Sequence, residues 1–114
     1  MLTAMTDDRI EKIKAAIEAA DHIPDKHKTE LLGHLSKIKP ALGQVAQTHH
    51  EDARTVAKLV ESSTEIATHN AKRPELLTGT LHRLKQSVEK FEASHPQLAV
   101  AVNEYSTMLS ALGI

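Results

Sequence analysis

The chain has 114 residues, no Cys, no Trp, one Phe, one Tyr and eight His, with 14 Lys and Arg against 15 Asp and Glu. The lack of Cys excludes a disulfide framework, a thiolate metal site and thiol catalysis, and the balanced charge leaves no electrostatic footprint for a nucleic acid or an anionic membrane. The length fits one domain over 1–114, and a compact chain of this size buries roughly two-thirds of the surface that its unfolded form exposes.

Met1 to Ile10 lacks the basic start and apolar run of a signal peptide, and no window reaches the ~18 apolar residues that span a bilayer, so a soluble, cytoplasmic protein is expected. Ala, Leu, Glu and Lys are abundant, Gly and Pro number four each, and no alternating strand pattern competes with a helical reading. Residues 1–5 are expected to fray. Thr6 suits an N-cap, Asp7 and Asp8 suit the positive end of a helix, and Ile10, Ile13 and Ile17 form one apolar stripe, which predicts a helix from Asp7 to Ala20. Pro24 ends it in a short turn.

Leu31, Leu35, Ile38, Leu42 and Val45 then recur at spacings of four and three and share one face. Pro40 and Gly43 interrupt this stretch. Because the apolar phase survives Pro40, a kink near Lys39 is favoured over a break. Past His49-His50-Glu51-Asp52 the phase resumes with Val56, Leu59, Val60 and Ile66, a thin stripe interrupted by Ser62, Ser63 and Thr64. Residues 70–74 read as a linker, with Pro74 in the first turn of the next helix. Leu77, Leu81, Leu84, Val88 and Phe91 follow, and Leu98, Val102, Tyr105, Leu109 and Leu112 continue the same spacing. Between them, Ser94 and Gln97 have the spacing of a capping box and Pro96 is tolerated in a first turn, so a tight corner at Phe91, Ser94, His95 and Pro96 is favoured over one long kinked helix. The fold class expected is all-α, an antiparallel bundle of about four amphipathic helices that ends in a helical hairpin.

The segment from Val88 to Leu98, with its Phe-Glu-x-Ser-His-Pro core, and the terminal Leu109-Ser110-Ala111-Leu112-Gly113-Ile114 resemble a small bacterial family catalogued as domain of unknown function 4404. The stripe of Ile10, Ile13 and Ile17 followed by Leu31-Leu32 looks like the N-terminal half of that family. Residues 46–73 look like an extension beyond its shorter members. The resemblance implies a bacterial source and a small helical protein, and it brings no reaction, ligand or catalytic residue.

Histidine is the one compositional excess that invites a chemical reading. Glu30 with His34 and Glu65 with His69 have the four-residue spacing that a metal site in a bundle could use, and they form the alternative reading, a His/Glu metal-binding bundle. The di-iron pattern of paired Glu-x-x-His motifs is missing, and solvated His on polar faces is the main reading, with no metal and no cofactor. His95, in apolar phase beside a cap, reads as a corner residue whose imidazole bonds a nearby carbonyl or the end of the preceding helix; a pH-responsive corner is the sharper alternative. There is no phosphate loop, no Gly-x-Ser-x-Gly elbow and no His-Glu-x-x-His helix, so no enzyme is expected. Residues 1–48 hold seven basic and seven acidic side chains and residues 49–114 hold seven and eight, a solvated mixture that predicts neither a nucleic-acid nor a membrane partner.

After Glu92, Glu104 is the only formally charged side chain. A helix so poor in charge is expected to be buried or paired. The reading is therefore a non-catalytic, self-associating interaction or structural module. A homodimer is favoured, with Leu98, Val102, Tyr105, Leu109 and Leu112 as its seam; replacing Leu98 and Tyr105 by Lys is expected to give a monomer or to unfold the chain.

Overall fold

The structure, a computed structural model, describes residues 2–69 and 71–113. Apolar residues recurring every three or four positions form five α-helices: α1 (Leu2–Ala19), α2 (Asp25–Thr48), α3 (His50–Thr68), α4 (Pro74–Glu89) and α5 (Pro96–Gly113). No strand occurs among the described residues. The fold class is all-α, with five helices where about four were expected.

The α2–α3 division falls at His49, between the second and third apolar stretches, where no Gly or Pro announces it. His49 leaves the helical region with φ −133° and ψ 59°. Its amide still donates to Val45 O at 2.7 Å while its carbonyl accepts from Ala53 at 3.0 Å, so one residue closes α2 and opens α3. Glu51 and Asp52 in the first turn of α3 then sit at the positive end of that helix. Pro40, by contrast, lies inside an uninterrupted α2. Its missing amide costs one hydrogen bond, and burial of Leu35, Ile38, Leu42 and Val45 on either side holds the helix together across that gap.

Two local expectations are corrected. The first helix begins at Leu2, so Thr6 lies within it rather than at its N-terminus, and residues 2–5, expected to fray, are helical; Met1 lies outside the described residues. At the other corner α5 starts at Pro96 and the Leu98 amide donates to His95 O at 3.1 Å. His95 therefore holds the position expected for Ser94, and the Ser94–Gln97 capping box does not form. Ser94 Oγ instead shares a hydrogen bond with His95 Nδ1 at 3.1 Å.

Successive helices reverse direction. Lys28 Nζ at the start of α2 donates to Glu18 O at the end of α1, Lys90 just past α4 pairs with Asp52 at the start of α3, and Lys72 just before α4 donates to Leu112 O near the end of α5. Helix α3 packs against all four others, and α5 packs on α2, α3 and α4. The core between them is continuous and includes Ile13, Ile17, Leu31, Leu42, Val56, Leu77, Leu84, Leu98 and Leu109, each at most 1% exposed. The Cα radius of gyration, 13.1 Å, is about that of any compact chain of this length. One chain thus encloses its own core without help from a second.

Leu98→Lys tests that enclosure. It strands an ammonium in an apolar site and should cost about 4 kcal/mol or more, comparable with the whole stability of a small domain. The helical circular dichroism should collapse, and a well-folded monomeric variant would contradict this packing. Gly33, Gly43 and Gly79 lie inside helices with open space where a Cβ would stand, so Ala at each should stabilise by about 0.5–1 kcal/mol in urea unfolding.

Candidate functional site

The corner residues meet the α2–α3 junction. After α4 the chain turns through residues 90–94, closed by the Phe91 amide on Val88 O at 2.9 Å and the His95 amide on Phe91 O at 2.7 Å. The buried Phe91 ring stands edge-on between two imidazoles, 5.5 Å from His49 and 5.8 Å from His95. Lys90 Nζ lies 5.9 Å from the ring centroid and 2.9 Å from Asp52 Oδ1. This cluster fastens two turns of the chain together. The His95 imidazole bonds Ser94 rather than a carbonyl.

The C-terminal stripe has a different place from the one expected. Leu98, Val102, Tyr105 and Leu109 are completely buried within one chain, and Leu112 packs half-buried against the same core. They are the inner face of α5, turned toward α2, α3 and α4, and cannot also serve as a seam between folded copies.

Tyr105 shows why. Its hydroxyl lies 2.6 Å from Thr64 Oγ1, and Thr64 Oγ1 donates its single hydrogen to Val60 O at 2.7 Å. The phenol must therefore be the donor and Thr64 the acceptor. Ser63, also buried, bonds back to Leu59 O at 2.8 Å. Of the polar residues that interrupt the stripe of α3, Ser63 and Thr64 are thus inside the protein with their hydrogen bonds made, and Ser62 is exposed. Burial pushes the Tyr105 phenol well above its ordinary ionisation range, and the Thr64 hydrogen bond offsets part of that rise.

The residues of the metal alternative do not assemble. Glu30, Glu65 and His69 are exposed, and His69 Nδ1 accepts the Ala71 amide at 3.1 Å. His34 turns away from Glu30 to α5, where its Nδ1 lies 3.7 Å from Glu104 Oε2. No cluster of three or more His, Asp or Glu suited to a metal ion occurs among the described residues.

His34 and Glu104 sit instead at one end of a groove between α2 and α5, a feature that periodicity had no means to reveal. The groove encloses about 620 Å³; α2 contributes Lys37, Pro40, Ala41 and Gln44, and α5 contributes Pro96, Gln97, Val100, Ala101 and Glu104. Val100 is 56% exposed, the most exposed large apolar side chain among the described residues. The floor is aliphatic, two amides lie toward one end, and a cation faces an anion across the other. Such a lining offers contact area and orientation; it places no nucleophile beside a base.

A family model described as Domain of unknown function (DUF4404) matches residues 31–114. The match spans residues 46–73, the segment expected to stand outside the shorter members, and α1 precedes it. No curated protein and no solved structure matches the chain.

The Tyr105 site yields two tests. Tyr105→Phe removes the donor and leaves Thr64 bonded to Val60, a loss of about 1 kcal/mol, whereas Thr64→Val strands the buried hydroxyl and should cost more, about 1–3 kcal/mol. Urea denaturation of both variants checks the order. The unfolded chain releases the phenolic proton from about pH 10 upward while the folded chain retains it. Stability is therefore full below that pH and falls as the pH rises through it. With one Tyr and no Trp, phenolate absorbance should appear only as helical circular dichroism is lost.

Proposed function

The chain belongs to the family described as Domain of unknown function (DUF4404), and from that premise we propose that it is a non-catalytic, single-domain helical bundle that self-associates as a homodimer through its α2–α5 groove. The observation that carries this reading is where apolar surface remains. The stripes of α2, α4 and α5 are consumed inside the chain, and the large hydrophobic side chains left exposed among the described residues are Leu76 at 45% and Val100 at 56%. Leu76 stands outside the groove. Val100 stands in it, among Pro and Ala side chains.

Helix α5 adds support through its composition. Its outward positions Gln97, Val100, Asn103, Thr107 and Ala111 are exposed and uncharged, and Glu104 alone carries charge there. Depletion of charge around an apolar centre is the compositional mark of interface cores. The family brings no reaction, and the side chains of the groove offer binding rather than proton transfer. A bacterial, cytoplasmic setting completes the proposal, and no helix among the described residues is long and apolar enough to cross a membrane.

Sedimentation equilibrium of the full chain from micromolar to millimolar concentration decides the matter. The mass should rise reversibly to that of two chains with helicity unchanged. One chain mass at every concentration would sink the proposal.

A further inference from the structure

We infer that the second copy docks groove to groove about a two-fold axis running parallel to the helices, so that Lys37 pairs with Glu104 of the partner subunit and Glu104 pairs with the partner's Lys37. The inference rests on the self-association proposed above and specifies its geometry.

Three observations lead to it. First, α2 and α5 run antiparallel along the groove, since residues early in α5 lie beside residues late in α2: Gln97 joins Gln44 at one end and Glu104 joins Lys37 at the other. The contact of His34 with Glu104 at 3.7 Å fixes that second level. Lys37 and Glu104 thus occupy opposite rims at the same height. Second, the pair is not made within the chain: among the described residues Lys37 has no carboxylate within 4 Å, and Glu104 meets only His34 at that distance. The Glu104 side chain is 45% exposed. Third, Val100 is the exposed apolar centre between the two ends of the groove.

Symmetry then selects the arrangement. In a two-fold dimer each surface patch meets its own copy. An axis along the groove exchanges the two rims and keeps the heights, which lays α2 of one protomer over α5 of the other. Lys37 then faces an anion on both sides of the interface, and each Val100 lies over Pro40 of the partner subunit and the partner's Ala41, which line the opposite rim at its height. An axis across the groove would exchange its ends, putting Lys37 opposite Gln44 of the partner subunit and leaving both charges against amides. Like charges meet in neither case, but only the first arrangement satisfies both ions, and charge complementarity is what fixes register in an interface.

A charge-exchange experiment tests this. Lys37→Glu and Glu104→Lys each place two like-charged pairs in the dimer, and each should weaken self-association about tenfold or more. Mixing the two variants should restore wild-type affinity as a heterodimer, because each mixed interface contains one original and one reversed pair. Val100→Glu should abolish the dimer, with circular dichroism and the thermal midpoint of the monomer checking that each variant folds. If the double variant recovers but the mixture does not, the two residues interact within one chain and the inference is overturned. A wild-type dimer indifferent to all three substitutions overturns it as well and assigns the seam elsewhere, leaving self-association standing. A wild type that never dimerises overturns the parent proposal instead.

Discussion

A buried tyrosine needs a partner for its hydroxyl, and much of the arrangement of this protein follows from that requirement. Tyr105 is the largest fully buried side chain, and no water can reach its oxygen at no cost. Thr64 supplies the acceptor from α3 and spends its own hydrogen on Val60, so donor and acceptor roles are settled along the whole chain of bonds. The bond ties α5 to α3, which is also the helix that touches α1, α2 and α4. Directional bonding supplies what hydrophobic packing lacks: leucines can slide past one another, whereas a short hydrogen bond in a dry site sets rotation and height together.

The periodic stripes were legible because helical phase depends on residue type and spacing alone. Leu31, Leu35, Ile38, Leu42 and Val45 are all buried, as are Leu77, Leu81, Leu84, Val88 and Phe91. The partner of each stripe was not legible. Leu98, Val102 and Leu109 have the same phase whether they face the other helices of the chain or a second copy, and only tertiary packing distinguishes the two. Ser63 and Thr64 misled for a related reason. Hydroxyls in a helix can return their hydrogen to a carbonyl one turn back, so they enter a core without violating its demand for satisfied polar groups. His49 carries no breaker signal at all.

The candidate site was still less visible in sequence. Lys37, Pro40 and Gln44 belong to one helix and Gln97, Val100 and Glu104 to another, and nothing in either segment announces the other. What sequence did register was the scarcity of charge after Glu92. That signal pointed at α5, and the structure divides it between two faces: the inner one is core, and the outer one is a thinly charged surface with one exposed valine. The single anion on that helix gains its interest from this setting, since it stands across a groove from a lysine that it does not reach. Pro40 fits the same surface, because a proline in a helix presents a rigid apolar ring that gives a groove wall a fixed shape.

Phe91 links regions that are distant in sequence, since its ring is shared between His49 at the α2–α3 junction and His95 at the start of α5. Neither turn can loosen without exposing that ring, so the two turns at this end should open together, as one cooperative unit in amide hydrogen exchange. The opposite end is built otherwise. There the segment after α1 and the end of α3 meet over a shallow hollow lined by Ala16, Ala19, Ala20, Asp21, His22, Thr68 and His69, and Ile23 of the α1–α2 turn is buried. The bundle is accordingly polarised, with an aromatic clasp between two turns at one end and an alanine-lined hollow at the other.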